Sequence, residues 1–194
     1  MSKTYSFLAA KIPLFFWQPR FDFLKYLESF KIGRIVLITL NYSIWILMIF
    51  VSFRLVSLNQ NIFWQLFVAS VAAEIVEKYG KSHKLWLRPM FQRHDTTPVG
   101  LVDSWYKTGS FPSGHTTKAT FFLLFIIQYG VFSPTTFYLI ATPLLVFRVL
   151  VGFHYPVDIF AGLILGWLIW LFSNGIIFPS FVVWPVSLVF SILK

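Results

Sequence analysis

The sequence contains no cysteine and few charged residues. Of its 194 residues, only 12% are charged and 57% are hydrophobic. Without cysteine, the chain has no disulfides, no thiolate metal sites and no cysteine nucleophile. A soluble domain carries roughly a quarter charged residues, so this chain has too few to cover a surface that faces water. The composition is that of a membrane protein.

Two long stretches contain no ionised side chain of either sign. Residues 119–147 and 159–193 include no Asp, Glu, Lys or Arg, whereas a membrane-spanning helix needs only about 20 apolar residues. The chain also has no internal repeat and no strand-like alternation of polar and apolar residues. We therefore predict an all-α integral membrane bundle of about five to six spans, with residues 1–194 forming a single domain.

The apolar stretches define the predicted order of helices. Residues 1–34 mix aromatic and basic side chains in pieces too short to span, which predicts an N-terminal segment lying in the membrane interface. The last apolar stretch, residues 176–193, is a candidate sixth span, which Pro179 and Pro185 weaken. The five other predicted spans are Ile35–Phe53, Ile62–Val76, Thr116–Phe132, Thr136–Val149 and Pro156–Phe172.

The formal net charge is +9. In a membrane protein, such an excess of basic residues indicates binding of anionic lipid headgroups before nucleic acid. Ionisable residues inside or at the mouth of a membrane bundle are energetically costly, so each is a candidate functional residue. Three clusters of such residues lie within residues 78–158, which we predict to be the catalytic region.

The first cluster runs from Lys81 to Pro89. Lys81 and Arg88 are seven residues apart, which predicts a separation of two turns on one helix face. Together they would clamp a phosphate, with Arg88 as a bidentate fork and Lys81 as a point charge. The alternative interpretation is a basic patch beside the membrane that touches lipid headgroups.

The second cluster, Phe111-Pro-Ser-Gly-His115, directly precedes an apolar span. Pro112 suits the first turn of a helix, Ser113 offers a hydroxyl group, and Gly114 allows the backbone to approach a ligand closely. The backbone N–H groups at a helix start form an anion site, which the His115 side chain would reach. The alternative is an ordinary helix start with an incidental histidine.

The third cluster contains Arg148, His154 and Asp158. A helix starting near Pro156 would place His154 at its solvent-accessible mouth and Asp158 about one turn along. Asp158 would then accept the Nδ1–H of His154 and leave Nε2 available as a nucleophile. Arg148 ends the preceding span and would face the same point. The alternative is a buried Arg148–Asp158 ion pair with His154 as a bystander.

Together the three clusters resemble the signature of the type 2 phosphatidic acid phosphatase family. That signature is Lys-x6-Arg-Pro, Pro-Ser-Gly-His and Arg-x5-His-x3-Asp, in this order, and every named position is filled between Lys81 and Asp158. Phe147 stands where the family often has serine. The residues from Gly152 to Asp158 are also similar to bacterial members that act on polyprenyl pyrophosphate or on glycerophospholipid phosphates.

The resemblance implies hydrolysis of a lipid phosphate or pyrophosphate: polyprenyl pyrophosphate, phosphatidic acid or phosphatidylglycerol phosphate. It implies that His154 attacks phosphorus and becomes a phosphohistidine. His115 would act as general acid and then as general base, and Asp158 would orient His154. Neither a cofactor nor a metal is expected, because the cations gathered at this point would repel a divalent ion. The residues expected to hold the phosphoryl oxygens are Lys81, Arg88, Ser113, Gly114 and Arg148.

Two other functions remain open at this point. One is a phosphotransferase that passes the phosphoryl group to a second lipid, because the first half-reaction is the same. The other is a non-catalytic lipid-binding or transport protein, against which the intact set of His115, His154 and Asp158 argues. The expected partners are the lipid phosphate substrate and membrane lipids, with no nucleic acid and no obligate protein partner.

Charge also predicts the orientation in the cell membrane. Six basic residues in the N-terminal segment place the N-terminus in the cytoplasm by the positive-inside rule. The same rule would make the catalytic face cytoplasmic. Membrane members of the family usually carry the site outside the cytoplasm, however, and we follow that resemblance for the catalytic face. The six residues are Lys3, Lys11, Arg20, Lys25, Lys31 and Arg34.

Overall fold

The structure is a computed structural model that describes residues 3–19, 23–92 and 108–192. Within these ranges all regular structure is helical, which confirms the predicted all-α class. Residues 93–107 of the catalytic region and Leu193 of the sixth predicted span lie outside the described residues, as do residues 1–2, 20–22 and 194. The elements are α1 (Lys3–Lys11), a 3-10 turn (Pro13–Phe16), α2 (Phe23–Glu28), α3 (Lys31–Leu58), α4 (Asn61–Ser82), α5 (Pro89–Gln92), α6 (Gly114–Tyr129), α7 (Pro134–Leu150), α8 (Pro156–Asn174) and α9 (Ser180–Ile192).

The first two long helices extend beyond the predicted apolar stretches. Helix α3 contains Arg34 and Arg54, which lie directly outside the predicted span Ile35–Phe53. Helix α4 continues past the predicted end at Val76 into a charged segment. Acidic and basic residues four positions apart stabilise this extension, because such residues are neighbours on a helix surface. The pairs are Glu74 with Lys78 and Glu77 with Lys81.

Among the described residues, two helices are long and apolar enough to cross a membrane, judged by length and composition alone: α3 and α8. Helices α7 and α9 are apolar but shorter. Helix α9 begins directly after Pro179 and has 13 residues. The predicted number of five to six spans therefore stays a prediction.

Helix α6 lies at the centre of the bundle and packs against α3, α4, α7 and α8. Its buried side chains include three phenylalanines, Phe121, Phe122 and Phe125. The neighbouring helices contribute apolar stripes with helical spacing, which is why each turns one face to this core. On α3 the stripe is Ile44, Met48, Val51 and Leu55, and on α4 it is Ile62, Leu66, Ala69 and Ala73.

Two glycines on α8 bring this helix very close to α6. A Cβ atom at Gly162 would lie 2.8 Å from Thr116 Cβ, and one at Gly166 would lie 2.6 Å from Thr120 Cβ. Small residues four positions apart allow two helix backbones to approach in this way. The N-termini of both helices consequently meet, and the Ser113 N–H donates a hydrogen bond to the Asp158 carbonyl (3.1 Å).

The outer faces of the long helices carry large apolar side chains. Soluble monomers rarely expose continuous apolar surface of this kind, so these faces have the character of a lipid-contacting belt. Exposed examples on α3 are Ile38, Ile46, Ile49 and Phe53, and those on α8 are Phe160, Ile164, Trp167, Leu168 and Leu171.

Neutral polar side chains connect α4, α6 and α8 at one end of the bundle. The Gln65 side-chain amide donates to the carbonyl groups of Asn174 and Ile176, both at 3.1 Å. The Tyr129 hydroxyl donates to Gln65 Oε1 (3.3 Å), and the Gln128 amide donates to Asn174 Oδ1 (2.6 Å). The candidate site lies at the other end of the same three helices.

Candidate active site

The three predicted clusters converge at one end of the bundle, where α4 and α7 end and α6 and α8 begin. Lys81 interacts electrostatically with Arg88 and Arg148, and His154 interacts with these three cations and with His115. Residues up to 77 positions apart in the sequence thus share one site. The structure therefore brings together the predicted site residues Lys81, Arg88, Ser113, Gly114, His115, Arg148, His154 and Asp158.

Arg88 reaches the site by a different route from the one expected. Helix α4 ends at Ser82, so the predicted position of Arg88 two turns further along the same helix was wrong. The chain turns after α4, with a left-handed conformation at Lys84 (φ 45°). Arg88 Nη1 then donates a hydrogen bond to the Phe153 carbonyl (3.0 Å), directly before His154. Arg88 therefore braces the turn that carries the predicted nucleophile.

The Arg88 side chain is buried, with 2% of its surface exposed. Burial lowers the pKa of Arg88 to about 10, and the carboxylates of Asp158 and Glu77 oppose that shift. The guanidinium group therefore stays charged at neutral pH. A buried charge of this kind requires counter-ions, so it favours an anion at this point.

His154 is buried, with 1% of its surface exposed, so the predicted solvent-accessible position was wrong. The reason is the backbone of the turn between α7 and α8. The N–H groups of Phe153 and His154 both donate to the Arg148 carbonyl, at 2.9 and 3.3 Å. These bonds fold the turn back onto the end of α7. Gly152 supplies the left-handed conformation (φ 80°) that the reversal requires.

Asp158 lies one helical turn from His154, as predicted from the helix start at Pro156. Its Oδ2 atom is 3.5 Å from His154 Nδ1, longer than a well-formed hydrogen bond. The same oxygen accepts a hydrogen bond from the Tyr155 N–H (2.8 Å), and Oδ1 accepts one from the Trp86 indole (3.0 Å). The carboxylate is therefore fixed beside the Nδ1 side of the imidazole ring.

The electrostatic surroundings keep His154 neutral. Burial lowers the pKa of His154 well below its ordinary value of 6.5, and Arg148, Arg88, Lys81 and His115 lower it further. At neutral pH the ring therefore retains a nitrogen lone pair. A neutral imidazole is the form that acts as a nucleophile or base.

The start of α6 is tied firmly to its surroundings. Ser113 precedes the helix as its N-cap residue, and its hydroxyl oxygen accepts a hydrogen bond from the Thr116 hydroxyl (3.0 Å). The Ser113 N–H donates to Asp158, as described above. Gly114 is the first residue of the helix, where backbone N–H groups point outward and attract anions. Pro112 lies before the helix, not in its first turn as predicted, and follows a cis peptide bond.

His115 lies on the side of the site that faces α3. Its ring packs edge-on against Trp45, with 5.6 Å between ring centroids. Trp45 also lines a groove between α3, α4 and α6 with a volume of about 430 Å³. One end of this groove is polar, with Glu74 and Lys118, and the rest is mainly apolar.

Among the described residues, Trp86 and Glu77 also lie at the site, and neither was among the sequence candidates. Trp86 contacts Asp158 from a segment without regular helix, so no spacing in the sequence indicated it. Glu77 forms an ion pair with Lys81. The sequence could have indicated this contact, because residues four positions apart lie on one face of a helix.

The fold and the site define a helical protein with a cationic, histidine-containing centre. Residues 62–181, well over half of the chain, match the family model of the PAP2 superfamily. The chain belongs to this superfamily, whose members are generally phosphatase hydrolases. The resemblance seen in the motifs is thereby confirmed for the family, and the bacterial lipid-phosphatase branch stays a prediction. No curated protein and no solved structure gave a significant match.

Proposed function

We propose that the chain is a multi-pass membrane phosphatase that hydrolyses a lipid phosphate or pyrophosphate through a phosphohistidine at His154. The observation that carries this proposal is a buried His154 that lies beside Asp158 and interacts electrostatically with three cations. Membership of the PAP2 superfamily supports the reaction class. The apolar outer faces of α3 and α8 support the membrane location.

Phosphate binding is assigned to Lys81, Arg88 and Arg148 together with the start of α6 at Ser113 and Gly114. Phosphoryl transfer passes through a loose, in-line transition state whose charge is spread over the phosphoryl oxygens. Fixed cations and helix N–H groups stabilise that charge without having to reorganise. This role explains why guanidinium groups are retained at a buried position where each one is costly.

In the first half-reaction, His154 Nε2 forms a bond to phosphorus while the bond from phosphorus to the lipid oxygen breaks. His115 donates a proton to the departing oxygen. In the second half-reaction, His115 accepts a proton from a water molecule that attacks the phosphohistidine, which releases inorganic phosphate and restores His154. Asp158 orients the imidazole ring and stabilises its charged form.

The groove between α3, α4 and α6 is assigned to the lipid chain. An in-line displacement places the leaving group opposite the nucleophile. The leaving group therefore lies on the side of His115, and Trp45 connects that residue to the groove. The apolar lining favours an acyl or prenyl chain, as in phosphatidic acid, phosphatidylglycerol phosphate or polyprenyl pyrophosphate. The N-terminus is assigned to the cytoplasm and the catalytic face to the opposite side.

The test is phosphate release from each of these three lipids, supplied singly to the purified protein in detergent. We expect phosphate release from a lipid that is supplied without a second lipid. We also expect a phosphoenzyme that is labile in acid and stable in base. Activity should persist in EDTA. Transfer of the phosphoryl group only when a second lipid is present would identify a phosphotransferase, and no turnover of any lipid phosphate would contradict the proposal.

A further inference from the structure

Glu77 places a negative charge inside the cluster of cations. Its carboxylate pairs with Lys81 and lies 3.3 Å from Lys118 Nζ, and 13% of its side chain is exposed. It also interacts favourably with Arg88 and Arg148. All three cations assigned to phosphate binding are thus attracted to this one carboxylate.

The same carboxylate lies against the start of α6. A Cβ atom added to Gly114 would overlap the Glu77 carboxyl group. Gly114 is the residue at which the helix N–H groups attract an anion. Glu77 therefore interacts with both features that would bind a phosphate, namely the cations and the N-terminus of α6.

Lys118 is placed to retain Glu77 if the carboxylate leaves Lys81. Only 11% of its side chain is exposed, and its ammonium group contacts Glu74 (3.1 Å) as well as Glu77. It also lies over the Trp45 ring, 4.9 Å from the centroid. Lys118 comes from α6 and contacts Oε2 of Glu77, whereas Lys81 pairs with Oε1.

We propose that Glu77 is the resident anion of the phosphate-binding site and determines its affinity for the substrate. In the free protein the carboxylate neutralises Lys81. The phosphoryl group of the lipid displaces it, and Lys118 holds the displaced carboxylate. The proposal rests on the function proposed above, because it assumes that phosphate binds among Lys81, Arg88 and Arg148.

The test measures binding of inorganic phosphate to the full-length protein in detergent by calorimetry at pH 7. Glu77→Gln removes the competing charge with almost no change in shape, so phosphate should bind about tenfold more tightly or better. Glu74→Gln is the matched control. It makes the same change on the same helix and also alters a contact of Lys118, and it should shift the affinity less than about twofold.

A second variant keeps the proposal testable if Glu77→Gln does not fold. Lys118→Gln removes the counter-ion for the displaced carboxylate, so phosphate should bind more weakly than to the unmodified protein. Equal or weaker phosphate binding by a folded Glu77→Gln protein would overturn the proposal and leave Glu77 as a residue that positions Lys81. If the unmodified protein binds no phosphate, or binds it equally well after Arg88→Ala, the proposed function itself fails.

Discussion

The two ends of the helices α4, α6 and α8 differ in the kind of polar side chain that they bury. At one end, Gln65, Gln128 and Asn174 are neutral and form hydrogen bonds with one another and with backbone carbonyl groups. At the other end, buried cations lie close to one another and to a histidine whose pKa is lowered. Like charges held together cost stability, whereas paired amides contribute to it.

This difference assigns stability to one end of the helices and the proposed function to the other. The neutral end satisfies its hydrogen bonds internally and therefore holds the bundle together. At the charged end, the cations among the described residues outnumber the carboxylates that could neutralise them. This end therefore favours an anion from outside the protein. Substitutions at the charged end should therefore reduce turnover, and substitutions at the neutral end should reduce the free energy of unfolding.

The largest expected effect is that of His154→Asn at the charged end. Loss of the nucleophile should reduce turnover on the order of 10⁴-fold or more, the scale seen when a covalent catalyst is removed. The measurement is phosphate release from the preferred lipid, together with trapping of the phosphoenzyme. Gln128→Ala at the neutral end is the control and should retain turnover. Substantial phosphate release by His154→Asn would remove this residue from the nucleophile role.

Arg88→Ala and Arg148→Ala should each reduce kcat/KM on the order of 10²–10³-fold, the usual loss for one transition-state donor. Lysine at either position should recover only part of the rate, because it keeps the charge but loses the planar fork. Arg54→Ala is the matched control, since Arg54 is an exposed arginine at the other end of the bundle. A similar loss in the Arg54 variant would point to a general effect of charge.

His115→Ala should show an effect that depends on the leaving group. The rate should fall on the order of 10²–10⁴-fold with a lipid phosphate, whose alkoxide needs a proton. With an activated aryl phosphate the loss should be clearly smaller. His83→Ala is the control, because His83 is exposed and bonds to Tyr79 outside the site. Equal losses on both substrates would contradict the assignment of His115 as general acid.

The smallest effect on turnover is expected from Gln65→Ala at the neutral end. The substitution leaves the carbonyl groups of Asn174 and Ile176 without their donor, which should cost about 1–3 kcal/mol of stability. Thermal unfolding in detergent measures this loss, and turnover per folded molecule at low temperature should be unchanged. A turnover defect without a change in stability would show that the two ends are coupled.

The sequence alone was sufficient for the all-α class, and it picked out six residues that the structure brings to one end of the bundle. Long uncharged stretches permit little besides helices in a chain with so few ions, and the order Lys81, Arg88, His115, Arg148, His154 and Asp158 matched a known signature. Local spacing also predicted the helix start at Pro156 correctly. It placed Asp158 one turn beyond His154, because a helix start fixes the positions that follow it.

Tertiary structure decided what local spacing could not. The expected common helix face for Lys81 and Arg88 was wrong because the chain leaves α4 at Ser82 and turns. The expected exposure of His154 was wrong because backbone bonds to Arg148 fold its turn inward. Trp86 reaches Asp158 across 72 positions of sequence, a contact that no local pattern encodes.

What the sequence determined by itself is therefore the helical class, which follows from composition. It also supplied the motif residues that meet at one end of the bundle, which the resemblance to a family signature picked out. What only the tertiary structure decided is the environment of each residue. Close packing of α6 on α8 through Gly162 and Gly166 brings the helix starts together. Burial then lowers the pKa of His154. The Glu77 carboxylate lies against Gly114 and places a negative charge among the cations. These properties depend on distances between helices that are far apart in the chain.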